Sequence, residues 1–345
     1  MDFSEKVLKW YGEHKRALPW RGTRNPYKIW LSEIILQQTR VVQGTPYYFK
    51  FVEAFPTVQD LAAAPEEKVL KLWQGLGYYS RARNLHATAK MVVDEYDGEF
   101  PNTYEGLKRL KGVGDYTASA IASICFDIPE PVVDGNVYRV LSRYFGIEFP
   151  INSTKGAKYF KTLAREVMNT QNIRDYNQGI MEFGAIQCAP KKPYCLICPL
   201  NESCVALKEN RVQDLPVKLG KTKVKHRFFN YIVVLDENQK TLVEQRKGKG
   251  IWQGLYQFPL IETEESAKED EIREYLETKK FAKSSKSPTL FNKEPIIHKL
   301  SHQHLHTQFW ILQLSKDLEN GIPWSKLDSF AVPVLIADFI RTFKI

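Results

Sequence analysis

Four of the five cysteines in this 345-residue chain lie close together, as Cys188, Cys195, Cys198 and Cys204 in a C-x6-C-x2-C-x5-C order. Four thiolates in so short a stretch suit tetrahedral zinc or a four-cysteine iron–sulfur cluster, and spacing alone leaves both open. Cys125, distant and on an apolar segment, reads as a core residue. Glu33 is a second signal, because it interrupts the run Ile29, Trp30, Leu31, Ile34, Ile35 and Leu36. An unpartnered buried carboxylate is costly, so Glu33 is expected to be either paired or neutral with a raised pKa, as a general acid is. The stretch Leu110-Lys111-Gly112-Val113-Gly114-Asp115 is a third signal. Its glycines allow a tight turn that exposes backbone N–H groups at a helix start, a seat for a phosphate. An ordinary interhelical turn is the simpler alternative. Asp134, in Pro131-Val132-Val133-Asp134-Gly135-Asn136-Val137, is placed to cap the helix that follows.

The elements that must hold these residues change character along the chain. Residues 1–210 read as helices joined by short Gly- and Pro-marked turns. Asn25-Pro26 caps and opens the helix carrying Glu33, whose apolar side chains cover almost its whole circumference, as in a buried helix. Further helices are expected at 66–73, 81–94, 103–110 and 116–125. Residues 211–227 read as a basic linker, with Lys218, Lys221, Lys223, Lys225 and Arg227 around Gly220. Beyond it, β-rich runs at 228–235, 241–244, 255–261 and 309–314 alternate with helical patterns at 268–275 and 334–343. Residues 228–345 thus form a smaller α+β domain.

Hydrophobic residues at 43% and charged residues at 26% exclude a mainly disordered chain. The most apolar stretch, 330–340, is broken by Pro333 and Asp338 and is too short for a span of roughly 20 residues. No membrane partner is expected. The start Met-Asp-Phe-Ser-Glu lacks a basic and an apolar leader region, so a cytoplasmic, nucleoid-associated location is expected. A net charge of +9 favours polyanions, with nucleic acid ahead of anionic membrane.

Taken together, the glycine hairpin, the Asp downstream of it and the cysteine loop resemble the helix-hairpin-helix-GPD, or endonuclease III, superfamily of DNA glycosylases. Leu18-Pro19-Trp20-Arg21, Trp30-Leu31-Ser32-Glu33, Leu36-Gln37-Gln38-Thr39, Gly75-Leu76-Gly77-Tyr78-Tyr79-Ser80-Arg81 and Asp134-Gly135-Asn136-Val137 narrow the resemblance to the MutY adenine DNA glycosylases. It covers nearly the whole chain. It implies an all-α glycosylase domain whose four cysteines hold a 4Fe-4S cluster, followed by a Nudix-like α+β domain. It also implies a partner, double-stranded DNA with adenine opposite 8-oxoguanine or guanine, met by a monomeric enzyme.

The same resemblance assigns roles. Glu33 protonates a flipped adenine, and ionised Asp134 stabilises the sugar cation, a division of labour known from paired carboxylates in glycosidases. Tyr116 and Asn136 orient this pair, Tyr116 by hydrogen bonding near Asp134. Trp20, Arg21 and Gln178 form the adenine pocket. Gln38, Thr39 and Tyr78 belong to the segments that probe the duplex, and Gly112 and Gly114 grip the backbone. Lyase relatives carry a Schiff-base lysine where Tyr116 stands, so a monofunctional glycosylase is expected.

In the second domain, Gly254-Leu255-Tyr256-Gln257-Phe258-Pro259 and Leu300-Ser301-His302 resemble signature segments. Ser301 and His302 are expected at the oxidised base, with Leu300 where relatives carry Phe. No Nudix Glu-rich box follows Gly254, and Glu264, Glu265 and Glu269 read as a solvated helix start. His302, His304 and His306 alternate along an expected strand and would place three imidazoles on one face, but with no carboxylate or cysteine beside them they are not read as a zinc site. Lys191 and Lys192 in the cysteine loop could meet DNA phosphates or simply be solvated. A lyase, a ferredoxin-like carrier and a non-catalytic DNA-binding protein are the rival classes. Tyr116 disfavours the first, and a buried Glu33 is unexplained by the other two.

Overall fold

The computed structural model describes residues 2–220, 223–278 and 287–344. Lys221, counted above in the basic linker, lies outside these residues. The chain divides into two compact units, one of residues 1–63 and 84–220, the other of residues 64–83 and 221–345. The sequence reading did not anticipate that residues 64–83 group with the C-terminal part.

The first unit is helical. It contains α1 (Phe3–His14), α2 (Pro26–Leu36), α3 (Val41–Ala54) and α4 (Val58–Ala63). After α5 (Glu66–Trp73), which belongs to the second unit, come α6 (Ser80–Glu95), whose residues 80–83 also fall in that unit, α7 (Tyr104–Arg109), α8 (Asp115–Phe126) and α9 (Gly135–Phe145). The series ends with α10 (Thr154–Val167), α11 (Ile173–Ile186) and α12 (Val205–Lys208). Asn25 caps α2 by accepting the Lys28 N–H at 3.1 Å, Pro26 opens it, and every residue from Ile29 to Ile35 is buried. Glu33 thus sits within a stretch buried on every side of its helix. Asp134 caps α9 through the N–H groups of Asn136 and Val137, and Gly146 closes that helix in the left-handed region at φ +70°.

The expected linker is anchored over part of its length. Ile151 N–H donates to Val217 O at 3.0 Å, and the Asn152 amide exchanges two hydrogen bonds with the Leu219 peptide, at 2.8 and 3.1 Å. Buried Leu215 explains the anchoring, since a polar linker would have no side chain to bury there.

In the second unit, β1 (Lys225–Leu235) starts three residues earlier than expected. The expected run at 241–244 is two strands, β2 (Lys240–Thr241) and β3 (Glu244–Gln245). The run at 255–261 is likewise split into β4 (Tyr256–Gln257) and β5 (Leu260–Thr263), with Pro259, which lacks an N–H donor, between them. Then follow α13 (Glu269–Thr278), β6 (Thr289–Leu290), β7 (Ile296–Lys299), β8 (Gln303–Gln313), β9 (Ile322–Pro323) and α14 (Val334–Thr342). β1 and β8 run parallel in register from Lys225–Gln303 to Leu235–Gln313, flanked by β5 on one side and by β6 and β7 on the other. One face buries Ile232, Val234, Trp310 and Leu312 with Ile272 and Leu276 of α13. Glu269 begins α13, whereas Glu264 and Glu265 precede it as exposed residues.

Candidate active site

A cleft of about 590 Å³ opens in the first unit. Glu33 from α2, Tyr116 from α8 and Asp134 at the start of α9 all line it. Glu33 is buried, and burial raises its carboxyl to about 7; a hydrogen bond from Tyr116 opposes the rise and the Asp134 charge adds to it. Tyr116 itself is raised well above the ordinary phenol value, first by burial and then by the Glu33 and Asp134 charges. Its hydroxyl also lies 3.2 Å from Met181 Sδ. The hydroxyl's geometric bond goes to Met181 rather than to the expected Asp134, whose charge nonetheless acts on it.

Asp134 sits in a different environment. Burial pushes its pKa up, but three donors act against that: the N–H groups of Asn136 (2.9 Å) and Val137 (2.8 Å), and Asn136 Nδ2 (2.7 Å). Glu33 receives one neutral donor beside a negative neighbour, whereas Asp134 receives three at a helix N-terminus, where the dipole favours an anion. Of the two acids, Asp134 has the more donors to favour its carboxylate form.

Trp20 and Arg21 line the cleft, and so do Gln38 and Thr39. Trp20 is buried and packs edge-on to Tyr48 at 5.2 Å. Gln38 is exposed, just past the end of α2, in the left-handed region at φ +57°. Gln178 is not at the cleft; it is buried on α11, with its amide 3.5 Å from Arg174 O. Glu182, one turn further along, is at the cleft, and the sequence reading missed it. Its carboxylate, 2% exposed, accepts from Arg16 Nε and Nη2 at 2.8 and 2.6 Å and from both Arg21 Nη atoms at 2.9 and 2.7 Å. Burial would raise it, but the Arg16 and Arg21 hydrogen bonds prevail and hold it at about 2. Its signal was the one that exposed Glu33, an acid within an apolar run, Ile180-Met181-Glu182-Phe183.

The hairpin joins α7 to α8. Gly112 requires its glycine: φ is +78°, and a Cβ there would lie 2.8 Å from Asn84 Cβ. Gly114 caps α8 with ordinary extended backbone and open space around it. Asp115, in the first turn, is bound by the Tyr104 hydroxyl and by Lys161 Nζ at 3.0 Å.

All four clustered cysteines line one small cavity together with Arg143, whose guanidinium lies 3.5 Å from Cys188 Sγ. Burial raises the Cys195, Cys198 and Cys204 thiols, so thiolates there need a cationic centre. Among the described residues no three His, Cys, Asp or Glu converge to hold a single ion. Four cysteine sulfurs lining one small cavity are a donor set that fits a four-cysteine iron–sulfur cluster. Cys125 is partly buried on α8. Lys191 and Lys192 are exposed. Arg139 joins the cysteine loop to the acid pair, since it donates to Cys188 O at 2.8 Å and to Asn136 Oδ1 at 2.9 Å.

In the second unit, Tyr78 and Ser301 meet through a hydrogen bond between their hydroxyls. His302 lies in the turn ahead of β8, so the expected row of three imidazoles does not form on that strand. His226 of β1 joins His304 and His306 instead, with Nδ1 2.8 Å from His306 Nε2. Parallel pairing sets His226 opposite His304, a neighbour that sequence spacing does not reveal.

Comparison with known proteins decides what this geometry belongs to. Residues 31–168 match the HhH-GPD superfamily of base excision DNA repair proteins, and residues 230–342 match the NUDIX domain. An adenine DNA glycosylase of Buchnera aphidicola subsp. Schizaphis graminum is 35% identical over 322 residues, covering 92% of this chain and 90% of that protein. The chain belongs to the adenine DNA glycosylase family. As a member it is an N-glycosyl hydrolase of base excision repair, built as a helix-hairpin-helix domain followed by a Nudix-like domain. A thermostable thymine-DNA glycosylase matches 60% of this adenine glycosylase, over 95% of its own chain, at 32% identity and TM-score 0.56. An endonuclease III solved in a non-covalent DNA complex covers the same share of this chain and 94% of its own, at 25% identity and TM-score 0.52. No helix among the described residues is long and apolar enough to cross a membrane.

Proposed function

We propose that this adenine DNA glycosylase flips out and hydrolytically removes adenine opposite 8-oxoguanine or guanine in duplex DNA, as a monofunctional monomer. The observation that carries the reading is that Glu33 and Asp134 share one cleft in opposite donor environments. Adenine leaves poorly as an anion. Glu33, neutral at and below about pH 7, gives its proton to N7 as the C1′–N9 bond breaks. Asp134 faces the resulting sugar cation, and Asn136 keeps that carboxylate oriented. Water then adds to C1′ and its proton returns to Glu33, leaving an abasic site. Tyr116 donates to Glu33 and, lacking an amine, forms no Schiff base. Trp20 and Arg21 hold the flipped base, with Glu182 fixing the Arg21 guanidinium.

Cys188, Cys195, Cys198 and Cys204 would hold a 4Fe-4S cluster, whose contribution here is a cross-link that fixes the loop bearing Lys191 and Lys192. In the Nudix-like domain, Ser301 and His302 read the base opposite adenine. Single-turnover assays on duplexes with adenine opposite 8-oxoguanine, guanine or thymine test the proposal, with Asp134→Asn as control. Excision from the first two only, without borohydride-trapped adduct, is the expected result. Equal rates on all three would remove lesion reading, and a trapped adduct would remove monofunctional chemistry.

A further inference from the structure

The segment that carries Asp134 into the cleft has no regular structure of its own. Residues 127–134 form neither helix nor strand, so side chains must meet their backbone polar groups. Asn177, buried on α11, donates to Glu130 O at 2.8 Å, accepts from the Val132 N–H at 3.3 Å and bonds Ser123, near the end of α8, at 2.8 Å. At the other end of α8, Lys161 of α10 places its ammonium donors on Pro131 O at 2.8 Å, Ser119 Oγ at 2.8 Å and Asp115 Oδ2 at 3.0 Å. Asp115 and Tyr116 share the first turn of α8, directly after the hairpin glycines. The Glu130 carboxylate lies farther from Lys161, at 3.8 Å, and has Arg165 at 2.7 Å as its own partner. One ammonium thus joins the turn that carries Tyr116 to the segment that ends at Asp134.

We infer that Lys161 is a positioning residue for base excision: by fastening Pro131 to the first turn of α8, it sets where the Asp134 carboxylate stands against the sugar of the flipped nucleotide. This rests on the reading of Asp134 as the carboxylate that faces the sugar cation. The bonds that Asp134 itself makes do not do this work. Their donors, Asn136 and Val137, belong to α9, so they fix the carboxylate on that helix and not against Tyr116 and Glu33. Buried Val132 and Val133 keep the segment packed, but apolar contacts are non-directional and tolerate a slide that a carbonyl bonded at 2.8 Å does not. A misplacement of about 1 Å at reacting groups is worth on the order of 10²-fold in rate. Asp115 explains why the bridging group is a cation. It puts a negative charge beside the backbone N–H groups read as a phosphate seat, and Lys161 balances that charge while it holds the segment.

Single-turnover excision at saturating full-length, cluster-containing protein tests this, with Kd measured beside it on a duplex carrying a non-hydrolysable adenosine analogue. Lys161→Met is made together with Asp115→Asn, so that no unbalanced charge is left at the hairpin, and is compared with Asp115→Asn alone. The rate should fall about 10- to 100-fold while Kd stays within about twofold. Added to Asp134→Asn, the same Lys161→Met change should cost no more than about twofold, because the group it positions is gone. A merely structural role would lower the rate by the same factor on both backgrounds. Lys161→Arg keeps the cation but spreads its donors over a planar fork, so it should show the same pattern at smaller size with Asp115 left in place. No fall in rate, or an equal fall with and without the Asp134 carboxylate, overturns the inference. An Asp134→Asn variant as fast as wild type is a separate failure, because it removes the reading of Asp134 before Lys161 is touched.

Discussion

Glu33 and Asp134 differ in what donates to them, and that difference is measurable as a pH dependence. Glu33 acts as an acid only while protonated, so excision at saturating enzyme should hold below about pH 7 and fall tenfold per unit above it. Glu33→Gln keeps an acceptor for Tyr116 but has no proton to give, and should lose about 10²- to 10⁴-fold in single-turnover rate while still binding the duplex. Stability moves with the same group. A carboxyl raised in the folded state binds its proton more tightly there, so its stabilising contribution is full below the unfolded value of 4.5 and is lost as pH rises through about 7. The variant should therefore gain roughly 1–3 kcal/mol relative to wild type at pH 8 over their difference at pH 4, read by denaturant unfolding. Equal pH profiles would mean that Glu33 does not titrate in this range. Glu33 was legible because an acid in an apolar run has few explanations. Glu182 carries the same mark but is understood only when Arg16 and Arg21, far away in sequence, are seen around it. Gln178 illustrates the converse, since it shares a helix face with Glu182 but lies one turn earlier along the axis, outside the cleft.

The two hairpin glycines look equivalent in sequence but not in their backbone. Gly112→Ala must put a Cβ at φ +78° and against Asn84, so it should cost on the order of 1–3 kcal/mol of stability. Gly114→Ala meets neither strain nor neighbour and should leave the thermal midpoint nearly unchanged. If a DNA phosphate approaches the α8 N-terminus, Gly114→Ala will still weaken duplex binding, and unaltered affinity would argue against backbone approach there. The cysteine loop yields a second element-scale prediction. The purified protein should be yellow-brown with broad visible absorption, and Cys198→Ser should abolish the colour and open residues 188–204 to protease. A colourless native protein containing zinc would refute the cluster. Helices were legible from periodicity and caps, as with Asn25-Pro26 and α2. Strand pairing was not: β1 and β8 are neighbours through a parallel register spanning almost eighty residues, and nothing local in either strand encodes the other.

For the molecule as a whole, the division into units bears on what truncation can reveal. Residues 64–83 precede most of the helical domain in sequence, yet several of their bonds go to the C-terminal part. Lys71 Nζ donates to Phe330 O at 3.0 Å, Arg83 to Gln253 O at 2.7 Å, and the Tyr256 hydroxyl to Glu67 at 2.6 Å, beside the Tyr78–Ser301 pair. A chain cut after Gly220 loses all of these together. Hydrogen exchange on the 1–220 fragment should accordingly show lost protection in residues 64–83, with α8, α9 and α11 protected as in the full chain. Protection that survives in residues 64–83 would mean that the segment is held by the helical domain instead. The outcome decides how truncation data are read. If residues 64–83 loosen, any change of base preference in the fragment combines two causes, removal of residues 221–345 and loosening of residues 64–83. Only substitutions in the full chain separate those two causes.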